Sequence, residues 1–497
     1  MRPDPHDLVA GLSVALVVVP QSLAYAQLAG LPAARGLYAA AVPPIAAAPL
    51  ASSAYLQPGP TAVTSLLTFG ALSPLARIGS THYVELALLL ALLVGAFRIA
   101  VGALRAGVIA YLMSQPLLMG FVPAAALLIV GSQLPLALGA PRHGGHVLAQ
   151  AARAVVHPGA WRTDAVLLAL VSGAVLALSP RLHRLFPGVL VTAIGAIAYV
   201  ELFGYGGARV GHVPTGLPPV TSSLPWRSLP ELVAPALVIA LIGFAEASSI
   251  ARTYATRDRT RWNANREFVS QGVANVAAGV FGGFPVGASF SRSALNRLAG
   301  ARSTASALVT GAAVLLFLPF GSALEPLPQS VLAAIVIAAV VPLVSVRPLV
   351  ALFRASRPQF LIAAVTFALT LALSPHIERA VIAGVGLSVA VHLWRELRLE
   401  VETTRAGDEL HLRPLGVLWF GTARVLEDRF VELLAQNPDA RRLRIHLRGL
   451  GRIDITGALA LKRVIADAER AGLSVEVGLA PPGARPLLRR ILRGNLD

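Results

Sequence analysis

The sequence predicts a polytopic α-helical membrane protein of two inverted halves, followed by a small soluble α/β domain, on three observations. Hydrophobic residues make up 55% of the 497 and charged ones 13%, too few charges to solvate a soluble protein of this size. Runs without Asp, Glu, Lys or Arg, such as Leu8 to Ala34 and Gly36 to Ala76, exceed the ~20 apolar residues that cross a bilayer. From about Glu409 the pattern changes to period-two strands and amphipathic helices with ordinary charge.

Apolar runs fall near residues 8–30, 36–54, 58–76, 84–101, 107–138, 164–180, 187–203, 231–251, 267–281, 287–299, 303–320, 328–346, 358–374 and 376–394, which predicts 14 transmembrane segments. The first is too long for a cleaved signal and carries Pro20 and Gln21 at its centre, so it belongs to the mature protein. Arginines cluster after even-numbered segments: Arg181 and Arg184; Arg252, Arg257, Arg259, Arg261 and Arg266; Arg347, Arg354 and Arg357. Basic loops stay inside, so both termini and the soluble domain are expected in the cytoplasm of a cell bounded by this inner membrane. The stretches 141–162 and 205–230 become outward loops. The net charge of +17 follows this topology and forms no nucleic-acid-binding face.

The second outward loop divides the apolar part into seven and seven segments, about 8–205 and 231–396. Segments one (LVAGLSVALVVVPQSLAYA) and eight (LVAPALVIALIGFAEASSIA) start alike, and segments three and ten are both broken by glycine and proline. An odd number of spans per half inverts the second half. Inverted repeats with one broken helix each place a binding site where the breaks meet.

The second break, Gly282 to Asn296, ends one helix and starts another near Gly287 with bare amide groups. A helix N-terminus in a dry site carries about half a positive charge and holds anions. Ser289, Arg292, Ser293 and Asn296 lie on one face, and Ser291 adjoins them. A static pair between Arg292 and Glu246 is the structural alternative. In the first break, Pro58 to Ser65, Thr61 and Ala62 open the matching half-helix. Segment one adds Gln21 and Tyr25, one turn apart, as neutral donors. Glu246 is a carboxylate about 21 Å along its helix from Leu232, at a depth where it can exchange a proton. Glu267, Gln271 and Asn275, spaced by four, read as helix-packing contacts.

No nucleotide-binding glycine loop, zinc-protease motif or nucleophile elbow occurs, so no enzyme, cofactor or metal is expected. His143, His146, His157 and His212 lie scattered in outward loops. With no cysteine, disulfides and thiol chemistry are excluded.

On AGLSVALVVVPQSLAYAQLAGLPAARGLYAA, GGFPVGASFSRSALNRLAGARS and the C-terminal domain, the chain resembles the SulP family of anion transporters, the sulfate permeases related to prestin and pendrin. The resemblance covers nearly the whole chain. It implies a core domain moving against a gate domain at residues 1–396, a linker at 397–408, a cytoplasmic STAS domain at 409–497, and a homodimer. Carried over position by position, its anion site falls on Gln21, Tyr25, Thr61, Ser291 and Arg292. Thr61 stands where animal members have a bulkier aromatic, which would suit a larger substrate. Glu246 matches the acidic position of sodium-coupled members, but Ile250 replaces their threonine one turn on, which favours protons over sodium. The bacterial members that carry dicarboxylates such as fumarate look closest, so the expected function is proton-coupled symport of a small dicarboxylate. Transport or exchange of sulfate, bicarbonate or chloride is the alternative within the family, and an anion-sensing receptor signalling through the STAS domain is the alternative outside transport. Thr456 falls on the loop position where related domains carry a phosphorylated serine, beside Asp454, an ordinary helix cap.

Overall fold

The structure, a computed structural model, describes residues 4–107, 113–142, 144–221, 223–396 and 399–492. His143, part of the fifth apolar run (108–112) and residues 397–398 of the expected linker lie outside them. The chain divides after Gly386 into two compact units.

The first unit carries the membrane part. Its first half contains α1 (Pro5–Leu28), α2 (Ala34–Ala47), α3 (Ala62–Leu72), α4 (Thr81–Ala103), α5 (Gln115–Ala137), α6 (Val147–Val156), α7 (Thr163–Leu182) and α8 (Gly188–Phe203). The second contains α9 (Leu229–Arg257), α10 (Ala264–Val280), α11 (Phe290–Leu298), α12 (Ala305–Phe317), α13 (Gln329–Val340), α14 (Arg347–Ala355), α15 (Arg357–Ala372) and the start of α16 (Ile377–Glu396), within which the division falls. Fourteen of these helices coincide with the apolar runs. The other two, α6 and α14, are short amphipathic helices in stretches expected to be loops. Among the described residues, eight segments are long and apolar enough to cross a bilayer unaided, whereas broken helices such as α3 are shorter.

Packing obeys the exchange of halves. Helix α4 lies against α10 and, with the halves swapped, α12 lies against α2; likewise α5 packs on α15 and α13 on α7. Glycines permit the close approaches. A Cβ on Gly272 would stand 2.9 Å from the Gly95 carbonyl oxygen, and one on Gly311 2.4 Å from that of Ala41, distances at which backbones would have to separate. Helices α1–α4 and α9–α12 thus form one layer, the core, and α5, α7, α8, α13 and α15 the gate.

The second unit is an α/β domain with strands β3 (Glu400–Ala406), β4 (Glu409–Leu418), β5 (Arg442–Ile445), β6 (Leu450–Ile453) and β7 (Ser474–Val477), numbered after two short strands of the membrane part, and helices α17 (Ala423–Gln436), α18 (Ile455–Arg470) and α19 (Arg485–Ile491). The sheet runs β3-β4-β5-β7, with β6 beside β4; only β3–β4 is antiparallel. Alternate residues such as Leu410 and Leu412 bury against Leu426, Phe430 and Leu461. One expectation is corrected: 400–406 is not linker but a full strand, paired from Glu400↔Leu415 to Ala406↔Glu409. Its side chains are mostly exposed, so hydrophobic patterning could not mark it. Asp454 caps α18, accepting from the Gly457 amide at 2.7 Å, and Thr456 is exposed beside it.

Candidate functional site

The two breaks meet. Strand β1 (Pro58–Gly59) pairs antiparallel with β2 (Gly287–Ala288), Pro58 opposite Ala288 and Gly59 opposite Gly287. Each short strand then runs into a helix, β1 into α3 and β2 into α11. Proline at 58 and 60 and glycine at 59 keep this lead extended, since proline cannot donate to a preceding helical turn. Gly59 also admits its neighbour: a Cβ there would stand 3.3 Å from Nη2 of Arg292.

Arg292, in the first turn of α11, is only 1% exposed. Its Nη1 donates to the Pro60 carbonyl at 2.6 Å and to Oε1 of Gln21 at 3.4 Å, joining the two breaks to α1. Its Nε and Nη2 are buried with no partner. Burying an unpaired donor on a cation is costly, so such groups mark either strain or a ligand position. Glu246 does not supply the partner: among the described residues it makes no ion pair, although it is within electrostatic reach of Arg292 and Arg98. The static Glu246–Arg292 pair considered from sequence is therefore not formed.

Gln21 and Tyr25 are buried, and Tyr25 is within electrostatic reach of Arg292. Thr61 caps α3 in a reciprocal box, its Oγ1 accepting from the Thr64 amide at 3.2 Å while the Thr61 amide donates to Oγ1 of Thr64 at 3.3 Å. Ala62 follows, buried. Ser289 makes no cap bond; its hydroxyl lies 3.1 Å from that of Ser291, which is exposed. Ser293 and Asn296, on the polar face with Arg292, turn away from it: the Ser293 hydroxyl accepts from the Gln57 amide at 3.3 Å and Asn296 donates to Tyr55 and Ser306.

Three further residues hold the breaks in place. Asn275 clamps Val286, just before β2, in both directions, accepting from its amide at 2.9 Å and donating to its carbonyl at 3.0 Å. Glu267 accepts from the amides of Ser52 and Ser53, both at 3.0 Å. These are loop clamps rather than the helix-packing contacts expected. Arg98 was missed. Fully buried on α4, it donates from Nη1 to Val286 and from Nε and Nη2 to the Ala240 and Ile239 carbonyls of α9. The available signal was the one that exposed Glu246, a lone charge inside an apolar run.

A cleft of 880 Å³ lies between core and gate. Its walls include Val63 and Phe290, in the first turns of α3 and α11, then Glu246 and Ser249, and finally Arg252 and Arg257 at the arginine-rich end of α9. Of the sequence-predicted residues only Glu246 lines it. Arg292 does not line it, whereas Phe290, two residues earlier in α11, does and is 46% exposed.

Two inverted halves, their broken helices crossing at a buried arginine beside a cleft, define a polytopic membrane carrier of the secondary-transporter type. The sequence profile of the sulfate permease family matches residues 5–366. A probable sulfate transporter of Mycobacterium tuberculosis is 34% identical over 393 residues, 77% of this chain and 69% of that protein. The sodium-independent sulfate anion transporter of Bos taurus is 30% identical over 530 residues, covering 99% of this chain and 86% of that one. The chain belongs to the sulfate permease family and is a membrane anion transporter of that family. Its fold matches that of murine Solute Carrier 26 family member A9 in the inward-facing state, with a TM-score of 0.89 at 20% identity over 100% of this chain and 90% of that one. The transmembrane domain of a cyanobacterium bicarbonate transporter matches at a TM-score of 0.64 and 24% identity, over 77% of this chain and 97% of that one.

Proposed function

We propose that the chain carries a small dianion, a dicarboxylate such as fumarate, in symport with protons by alternating access. The observation that carries this reading is the pair of unpartnered nitrogens, Nε and Nη2, on buried Arg292 at the start of α11. A planar guanidinium with two free donors suits one carboxylate, and the helix N-terminus adds to its field. Gln21 and Tyr25 bind the anion from α1, Thr61 and Ala62 line its α3 side, and Ser289 and Ser291 its α11 side. Glu246 couples the proton: neutral, it leaves Arg292 free to hold a dianion; ionised, it competes with the anion for that charge. The cleft ending at Arg252 and Arg257 is the path to the cytoplasm, with both termini on that side of the inner membrane. Residues 1–396 form the transport domain, the α/β domain from Glu400 onward the STAS domain, and two chains associate as a homodimer.

Sulfate is the competing substrate, favoured by the names of the mycobacterial and bovine relatives. Uptake of radiolabelled fumarate, sulfate, bicarbonate and chloride into proteoliposomes tests the reading. Fumarate uptake rising with an inward proton gradient, and losing that response in Glu246→Gln, is expected. Sulfate uptake without fumarate uptake would replace the substrate, and uptake driven by a sodium gradient would overturn the role of Glu246.

A further inference from the structure

Helices α6 and α14 are repeat mates, each following the fifth segment of its half, yet they are finished differently. Helix α6 buries Ala151 and Ala154 and sits on α5, where Leu148 and Val147 approach Gly131. Helix α14 buries no residue at all. Its outer face carries Val346 (59% exposed), Val350 (50%) and Phe353 (53%), at spacings of four and three that form one stripe. Arg347, Arg354 and Arg357 flank the stripe, and among the described residues no group partners their side chains. No acidic residue occurs between Leu327 and Pro375.

We infer that α14 lies in the headgroup layer and binds anionic phospholipid, its valine and phenylalanine stripe dipping to the acyl boundary and its arginines meeting phosphate. A short helix with an apolar stripe and a basic margin lies in the membrane interface rather than across it. Charge decides the occupant. The C-terminal domain carries more Arg and Lys than Asp and Glu, so it complements this face poorly. Anionic lipid complements it well, each arginine enriching such headgroups about fivefold. The contact has a consequence for the cleft, because Pro342, Leu343 and Ser345, which lead into α14, and Pro348 in its first turn form part of the cleft wall. Lipid held by α14 therefore anchors one rim of the cleft to the membrane plane.

The test uses full-length Phe353→Trp in vesicles, with the parent's five tryptophans as background. Bilayers contain either brominated phosphatidylglycerol or brominated phosphatidylcholine at equal content. The added emission should be quenched about threefold or more efficiently by the anionic lipid, and Arg347→Gln, Arg354→Gln and Arg357→Gln together should bring the ratio to one. Val350→Trp gives the same readout if Phe353→Trp does not fold. Emission quenched by neither lipid would mean that protein covers the face, and a ratio unchanged by the three substitutions would mean that the arginines recruit no lipid; either result overturns the inference.

Discussion

The starts of α3 and α11 are mates under the inverted repeat, but one closes itself and the other stays open. At α3 the Thr61–Thr64 box satisfies its own first amides and no charge is present. At α11 Ser289 caps nothing, its hydroxyl is turned to Ser291, and Arg292 brings a buried cation with two idle nitrogens. Symmetry supplies the crossing; asymmetry of side chains supplies the proposed anion site. A broken helix alone therefore does not define where the ligand is held.

Substitutions at the two starts should separate these roles. Arg292→Gln removes the cation and should lower anion affinity by about 100-fold or more, the scale of losing a buried charge partner, with little loss of stability because most of its donors bond nothing in the protein. Uptake and equilibrium binding measure the first, thermal unfolding the second. Arg98→Met should do the reverse in its first effect. It leaves the Val286, Ala240 and Ile239 carbonyls without their charged donor, and should lower stability by roughly 3 kcal/mol; wild-type stability in that variant would deny Arg98 its role in holding the break.

Thr61→Ala should destabilise by about 1 kcal/mol, the worth of an N-cap, whereas Ser289→Ala should leave stability within about 0.5 kcal/mol. Equal losses at both positions would erase the distinction drawn here. The smallest effect concerns Asp258, outside the membrane, where hydrogen bonds from Arg297 and Tyr55 hold the carboxyl below its ordinary value. Its contribution is complete above the unfolded value near pH 4 and is lost as pH falls through the lower folded value. For a partly exposed pair at the surface it amounts to a few tenths of a kcal/mol. Asp258→Asn should flatten the acid limb of stability by that amount.

Much of this was legible in the sequence because membrane proteins write it in long signals. Apolar runs gave the 14 segments, glycine and proline gave the two breaks, and the arginine within the second break pointed to Arg292. What escaped depended on partners far away in the chain. Arg98 stood as a lone charge inside an apolar run, but its partners, the carbonyls of Ile239, Ala240 and Val286, lie far along the chain. Asn275 had the spacing of a packing residue and became a clamp eleven positions from its partner. Helices α6 and α14 hid in loops because a short amphipathic turn breaks an apolar run without making one. The strand at 400–406 escaped because it exposes both faces.

The central claim is that Arg292 anchors the anion through Nε and Nη2. Equilibrium binding of the transported anion to purified wild type and Arg292→Gln, with unfolding temperature recorded alongside, tests it most directly. The account predicts an affinity lower by about 100-fold or more at an unfolding temperature close to wild type; full affinity in Arg292→Gln would contradict it.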